Sequence, residues 1–191
     1  MATALPLGLS ALIRDTEAGR TYRHLRFWSH RPTHPTRPGR QCLSQWRPSP
    51  FTEDGITYPT AEHYMMARKA RLFGDERSAE KILGKDHPGA AQGIGRSVRG
   101  FDEQTWRRHR FDIVVDGSLL KFRQNRAMGE YLVATGDHVL VEASPIDRNW
   151  GIGMAEDDEG VDDPRRWRGA NLLGFALMAA REVLLAEGFS G

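Results

Sequence analysis

Apolar residues recur at helical spacing over most of this chain, and at strand spacing in only a few short segments. The clearest helix follows Asp102, a residue that can cap it, with Trp106, Ile113 and Leu120 repeating along one face up to Gln124. The same reasoning predicts further helices at residues 10–17, 61–73, 76–84, 88–95, 127–134 and 172–187. The pattern therefore favours a mainly helical protein.

Strand signals are few and short. Residues 23–28 and the apolar run 139–141 are predicted strands, and the second is the better candidate for a central strand. The pair Asp54-Gly55, between two short segments rich in strand-forming residues, predicts a β-hairpin. Together these elements predict an α+β fold, with a single mainly helical domain and a small sheet at residues 23–191. Residues 1–22 are predicted to be an N-terminal extension.

The composition narrows the class of protein. The chain has 191 residues, is 39% hydrophobic and carries a net charge of +2, which is typical of one globular domain. This charge is too small to indicate a nucleic-acid binder by itself. Cys42 is the only cysteine, so no intrachain disulfide can form and a cytoplasmic location is expected. No apolar run could span a membrane and no histidine pair has metal-ligand spacing, so we expect no membrane association, no metal and no cofactor.

Two segments combine arginines with a tryptophan. They are favoured as solvated faces, but they could also form a phosphate-binding surface with aromatic platforms. The clusters are Arg107, Arg108 and Arg110 beside Trp106, and Arg165, Arg166 and Arg168 beside Trp167. Two irregular segments, residues 31–40 and 144–170, are long enough to carry function.

A helix beginning after Thr60 would place an acid and an amine on one face. Glu62 and Lys69 are seven residues apart, so they lie nearly in line along the helix. The two groups could form a salt bridge, or they could be catalytic groups that tune each other. Taken singly, Glu62 is more simply explained by the helix dipole and Lys69 by solvent exposure.

The segment 147–153 follows the predicted strand 139–141, a usual place for residues that a fold delivers into a cleft. Its acid, Asp147, its indole, Trp150, and two glycines would let the backbone approach a ring-shaped ligand closely. Asp147 could equally cap a turn while Trp150 fills the core.

Three further residues are weaker candidates. Arg96 follows a glycine-rich run that lacks the spacing of a phosphate loop, although Arg96 itself could bind one phosphate. Trp46 could be a stacking platform or a core anchor. Asn171 is most simply a helix cap, whose amide could also face a ligand.

Taken in order along the chain, these segments resemble the NADAR family, also called YbiA-like. The resemblance covers residues 27–187 and rests on the joint occurrence of short motifs rather than on any single one. The motifs are Leu43-Ser44-Gln45-Trp46, Tyr58 with Glu62-His63-Tyr64, Lys69-Ala70, Gly95-Arg96, Lys121-Phe122-Arg123-Gln124-Asn125, Asp147-Arg148-Asn149-Trp150-Gly151-Ile152-Gly153, Asn171-Leu172-Leu173-Gly174 and Leu177-Met178-Ala179-Ala180-Arg181. The chain departs from the family pattern at Gln45-Trp46, where Asn-Phe is commoner, and in its longer segments 31–40 and 154–170.

The resemblance implies a metal-independent N-glycosidase that hydrolyses a ribose C1′–N bond. Two substrates are associated with the family: ADP-ribose attached to guanine, in nucleic acid or as a nucleotide, and a ribosylaminouracil phosphate intermediate of riboflavin synthesis. We favour removal of ADP-ribose from guanine, because the arginine clusters and longer loops suit a large, charged substrate. Such an enzyme could have an ADP-ribosyltransferase toxin as its partner, whose modification it would reverse.

The same resemblance implies roles for the candidate residues. Glu62 and Asp147 would be the acid–base pair, and Lys69 would be catalytic through a Schiff base or would serve as a cation for phosphate. The predicted substrate-binding residues are Trp46, Tyr58, Arg96, Trp150, Gly151 and Asn171. A non-catalytic module that binds ADP-ribose or nucleic acid is the alternative from another class, and it would not need Glu62, Asp147 and Lys69 together.

Overall fold

The computed structural model describes residues 5–32, 34 and 37–189. Its helices are α1 (Leu9–Glu17), α2 (Ala61–Leu72), α3 (Glu76–Leu83), α4 (Pro88–Arg96), α5 (Glu103–Gln124), α6 (Arg126–Ala134) and α7 (Leu172–Ala186). Its strands are β1 (His24–Phe27), β2 (Phe51–Glu53), β3 (Ile56–Tyr58) and β4 (Val139–Glu142), and short 3-10 helices cover Arg40–Leu43 and Pro164–Arg166. The fold is α+β and mainly helical, as predicted. Residues 33, 35 and 36 of the predicted loop and residues 1–4 of the predicted extension lie outside the described residues.

The chain packs as two compact units. Unit 1 combines the described residues up to Ser44 with those from Glu130 onwards, and unit 2 is the continuous segment Gln45–Gly129. Unit 1 contains a parallel pair of strands, β1 with β4, and unit 2 contains an antiparallel pair, β2 with β3. The small sheet predicted from the sequence is therefore two separate two-stranded sheets.

Unit 2 contains the predicted hairpin, helices α2 to α5 and the first residues of α6. Asp54 and Gly55 have positive φ angles of 49° and 78°, the combination that a two-residue type I′ turn requires. Thr60, Asp75 and Asp102 each accept a backbone N–H in the first turn of the helix that follows, as their sequence positions predicted. Helix α2 packs against α3, α4 and α5, and most of its residues are buried.

Unit 1 is built around β4. The β4 strand pairs with β1 in parallel, with Leu25 opposite Leu140, and α7 packs against β4. The close packing of α7 requires Gly174, because a Cβ there would overlap the Leu140 carbonyl. Helix α1 contacts the 3-10 helix Pro164–Arg166 and buries Leu12, so this part of the predicted extension packs within unit 1.

The prediction that β4 is a central strand is wrong in the described part of the chain, where β1 is its single strand neighbour. The other edge of β4 is nevertheless covered. The Asn171 side chain accepts a hydrogen bond from Glu142 N at 2.9 Å and donates one to Leu140 O at 2.9 Å. Ile152 N donates to Glu142 O at 2.9 Å. A side-chain amide and a loop thus take the place of a strand, which is consistent with the full burial of the three apolar residues Val139 to Val141 of β4.

Candidate active site

The first turn of α2 holds Glu62 in a buried position. The Glu62 side chain is 2% exposed, and Glu62 N donates to Gln45 O at 3.1 Å, which ties the segment before Trp46 to the helix start. His63 is also buried, with Nδ1 at 2.8 Å from Thr60 Oγ1 and Nε2 at 2.9 Å from Lys85 O. Burial lowers the pKa of His63, so a neutral ring is favoured there. A carboxylate in this turn also interacts favourably with the dipole of α2.

The Lys69 side chain is half-buried, and its amine lies beside two aromatic rings. Its Nζ donates to Gly95 O at 2.8 Å and lies 4.3 Å and 5.4 Å from the ring centroids of Phe101 and Trp106. Burial lowers the pKa of Lys69 from its ordinary 10.5, and the nearby Glu103 carboxylate opposes this in part. The opposing charge is thus Glu103 rather than Glu62. The lowered pKa increases the fraction of neutral amine, which a nucleophilic lysine needs, whereas the Gly95 carbonyl and the two ring faces stabilise the protonated amine.

Helices α2 and α4 run side by side and in the same direction. His63 meets Lys85 just before α4, while Lys69 meets Gly95 near the end of α4. Met66, between these two points, packs on Gly95 so closely that a Cβ there would overlap the thioether. Glu62 and Lys69 therefore share one side of α2, as predicted, and are separated by about 10 Å along the helix axis.

Three predicted substrate-binding residues belong to unit 2. Trp46 is half-buried and meets the His87 ring edge-on at 5.7 Å. Arg96 is exposed in the last turn of α4, where its Nη2 donates to Gln92 Oε1 at 3.0 Å. Tyr58 is buried: its ring is 1% exposed and stacks on Phe51, and its hydroxyl accepts from Arg71 Nη1 at 2.9 Å. Its role in binding substrate stays a prediction, since in this structure the ring packs in the core.

In unit 1, Asp147 shapes the turn that carries Trp150. Asp147 Oδ1 accepts hydrogen bonds from Asn149 N and Trp150 N, both at 2.8 Å, and Asp147 O accepts one from Gly153 N at 3.0 Å. Asp147 and Trp150 are both half-buried, so each retains surface that a ligand could contact. Asp147 therefore caps a turn, which was the alternative role considered for it. Its carboxylate is still partly exposed at the surface of the loop.

The other two predicted residues of unit 1 are occupied in holding the loop to β4. A Cβ at Gly151 would lie 2.9 Å from Glu142 O and 3.0 Å from Ser144 Cβ, so the glycine permits this backbone approach. Asn171 is fully buried at the start of α7, with a φ of 53° and no side-chain cap hydrogen bond. Its amide binds the β4 edge, which offers two backbone groups that need partners, and its predicted contact with a substrate stays a prediction.

The two arginine–tryptophan clusters are not aromatic platforms. Trp106 and Trp167 are 7% and 8% exposed, and Trp167 Nε1 donates to Val161 O at 2.8 Å. Arg107 pairs with Glu103 and Arg165 with Asp163, each within its own segment. The alternative of solvated faces describes these arginines better.

The two predicted acids lie in different units, Glu62 in unit 2 and Asp147 in unit 1. The sequence reasoning missed the environment of Lys69, which is formed by Phe101, Trp106 and Glu103. The helical repeat did indicate that Trp106 is buried, and this was the only sequence signal for that environment.

In residues 5–32, 34 and 37–189, no helix is long and apolar enough to cross a membrane. No group of three acidic, histidine or cysteine side chains in those residues is placed to hold a metal ion.

Comparison with known protein families shows to which family this chain belongs. A model of the NADAR domain matches residues 26–185, which run through both units. The chain belongs to the NADAR family. The resemblance found in the sequence, including the expectation of one α+β domain, is thereby confirmed.

Named relatives of this NADAR protein are consistent with that assignment. N-glycosidase R617 of Acanthamoeba polyphaga mimivirus is 43% identical over 150 residues, which cover 75% of this chain and 88% of the viral protein. N-glycosidase YbiA of Escherichia coli (strain K12) is 32% identical over 138 residues, which cover 72% and 78% of the two chains. The NMR structure of the E. coli protein YbiA superimposes with a TM-score of 0.70 over 88% of each chain, at 27% identity. These relatives confirm the prediction of an enzyme that acts on N-glycosyl bonds.

Proposed function

We propose that this NADAR protein hydrolyses the C1′–N bond between a ribose and guanine, and so releases ADP-ribose from the base. Water would add to C1′, the C1′–N bond would break, and the departing guanine nitrogen would take up a proton. The observation that carries the proposal is the buried Glu62 carboxylate in the first turn of α2, in a chain whose relatives are named N-glycosidases.

Glu62 has the properties that the difficult step requires. Positive charge develops on the ribose as the bond breaks, and a carboxylate held in a buried site stabilises that charge more strongly than it would in water. The helix start fixes the position of this side chain, because Thr60 caps α2 and Glu62 N is bound to Gln45 O. Asp147 is the proposed second group, which would orient water or protonate the base.

Lys69 permits a second route. Its neutral amine could attack C1′ while the C1′–N bond to guanine breaks and the base takes up a proton. Ring opening of the ribose would then give a Schiff base, which water hydrolyses to release the sugar and restore the amine. Burial lowers the pKa of Lys69, as this route needs. Reduction with borohydride during turnover would leave a covalent sugar on Lys69 by this route and none by the acid–base route.

The proposal of a charged, extended substrate is supported by the cations of unit 2. Arg77, Lys81 and Arg99 line a cleft beside α4, the helix whose Gly95 carbonyl binds Lys69. The arginine–tryptophan clusters no longer provide that support, since their tryptophans are buried.

A second candidate substrate is a ribosylaminouracil phosphate intermediate of riboflavin synthesis. A protein named Riboflavin biosynthesis protein VVA0006, from Vibrio vulnificus, is 32% identical over 142 residues, 74% of this chain and 35% of that protein. The bond to be broken is again a ribose C1′–N bond, so the same residues would serve.

The test offers the purified protein each substrate separately. We expect release of free ADP-ribose from guanosine-ADP-ribosylated DNA, and a drop of roughly 10²–10⁴-fold in turnover for Glu62→Gln, which keeps the shape and removes the charge. Glu80→Gln, an exposed acid on α3, is the matched control and should match the unsubstituted protein. Release of ribose 5-phosphate from the uracil intermediate alone would reassign the substrate. Binding of ADP-ribose without turnover of either substrate would make the protein a binding module.

A further inference from the structure

A cleft between α3 and α4 lies within unit 2, apart from the residues predicted to be catalytic. It has a volume of about 570 Å³ and is widely open to solvent. Its walls carry three cations, Arg77, Lys81 and Arg99, together with the hydroxyl groups of Ser78 and Ser97. Asp75 is the only acid on its walls, and the lining contains no aromatic side chain.

The charge of Asp75 is already neutralised inside the unit. Its Oδ1 accepts from Arg99 Nε and Nη2 at 3.3 and 2.9 Å, and its Oδ2 accepts from Ser78 Oγ and Arg99 N at 2.7 and 3.0 Å. The Asp75 side chain is 2% exposed, and these hydrogen bonds, chiefly those from Arg99, hold its pKa well below the ordinary 3.8. Asp75 therefore stays ionised and acts as a fixed anchor for Arg99.

Arg99 is held by that anchor but remains open to solvent. Asp75 binds Nε and Nη2, which form one edge of the guanidinium, and the Arg99 side chain is 73% exposed. An arginine fixed in this way loses little side-chain entropy when a phosphate binds to the edge that faces solvent.

Arg77 and Lys81 add positive charge that the protein does not neutralise. They are exposed and four residues apart on α3, a spacing at which like charges repel and weaken the helix. Among the described residues, no carboxylate lies within ion-pair distance of either side chain. Glu76 and Glu80, also on α3, are not part of the cleft wall. An anion bound in the cleft would relieve the repulsion.

We propose that this cleft binds phosphodiester groups of the nucleic-acid strand that carries the modified guanine. The inference rests on the proposed function, and it makes a strand, rather than a free nucleotide, the substrate. Because no aromatic ring lines the cleft, binding there should depend on salt and be independent of sequence.

The test measures binding of a short, unmodified single-stranded oligonucleotide by fluorescence anisotropy at several salt concentrations. The variant Arg77→Gln/Lys81→Gln removes two exposed cations and leaves the Asp75–Arg99 pair intact. We expect it to weaken binding roughly tenfold at low salt and to lower the magnitude of the slope of log affinity against log salt by about 1.4, at about 0.7 for each lost phosphate contact on a single strand. The control Arg107→Gln/Arg108→Gln removes the same charge from α5 and should remain within about twofold of the unsubstituted protein.

An equal loss of affinity in both variants would overturn the proposal, because general attraction would then explain the binding. It would also fail if the unsubstituted protein bound no strand, or if free ADP-ribose displaced the strand and itself required Arg77 and Lys81. On ADP-ribosylated DNA the cleft variant should raise KM and leave kcat unchanged, while its kinetics on ADP-ribosylated guanosine should not change. Absence of turnover on both guanine substrates would refute the proposed function. The measured binding of the unmodified strand to the cleft would not be affected by that outcome.

Discussion

At the residue scale, Lys69 has the most unusual surroundings of the predicted catalytic residues. Its amine is bound to a backbone carbonyl and flanked by two aromatic rings, and burial lowers its pKa. The spacing to Glu62 indicated which face of α2 Lys69 occupies. It could not indicate the rings, because Phe101 lies just before α5 and Trp106 in the first turn of α5, more than thirty residues later in the chain.

The pKa of Lys69 predicts how stability depends on pH. Its folded pKa lies below the unfolded value of 10.5, so between the two values the unfolded state binds more protons. The free energy of unfolding, taken relative to the variant Lys69→Met, should therefore rise with pH across that window and level off above 10.5. Denaturant unfolding of both proteins at stepped pH measures this, and a difference that stays flat with pH would contradict it.

Asp147 offers a way to separate charge from structure. Asp147→Asn keeps the Oδ1 atom that accepts from Asn149 N and Trp150 N, whereas Asp147→Ala loses both hydrogen bonds. If Asp147 is an acid–base group, both variants should lose roughly 10²–10⁴-fold in turnover, and only the alanine variant should also show a lowered Tm. Full activity in a folded Asp147→Asn variant would show that Asp147 only stabilises the turn and is not an acid–base group.

At the scale of elements, local signals were sufficient for most of the fold. The hairpin at Asp54-Gly55 and the helix caps at Thr60, Asp75 and Asp102 each depend on residues within a few positions of one another. The surroundings of β4 could not be predicted in this way. Its apolar run indicated a strand covered on all sides, but one edge is covered by Asn171, about thirty residues further along the chain.

The amide of Asn171 should therefore contribute to stability. Asn171→Ala would leave Glu142 N and Leu140 O buried without these partners, at roughly 1–3 kcal/mol for each group. We expect a clear fall in Tm, measured by circular dichroism, whereas Gln104→Ala on the exposed face of α5 should have little effect. An unchanged Tm would mean that water or a shifted loop replaces the amide.

At the scale of the whole molecule, helix α1 joins the N-terminal extension to the rest of unit 1. Residues 1–22 were predicted to lie outside the domain, and the family match begins at residue 26. Yet α1 contacts the 3-10 helix Pro164–Arg166, and Leu12 is 0% exposed. We therefore propose that α1, within the described part of the extension, is an integral part of unit 1 in this NADAR protein.

Truncation of Leu12 tests that proposal. Leu12→Ala removes a fully buried side chain and should cost roughly 2–5 kcal/mol of unfolding free energy. Leu7→Ala changes a neighbouring leucine that is 50% exposed and should cost far less. Equal, small effects in urea unfolding would show that α1 is a detachable appendage.

The pairing of β1 with β4 also sets an order of events during synthesis. Partner residues of the two strands are about 115 residues apart in the sequence. At a translation rate of about 5–20 residues per second, β4 is synthesised roughly 6–23 s after β1. Unit 2 is continuous and is complete before β4 exists, so we expect it to become resistant to protease first in chains of stepwise increasing length. During that interval the backbone groups of residues 24–27 that later pair with β4 have no strand partner. We expect a chaperone or a neighbouring chain that can add a strand to bind them.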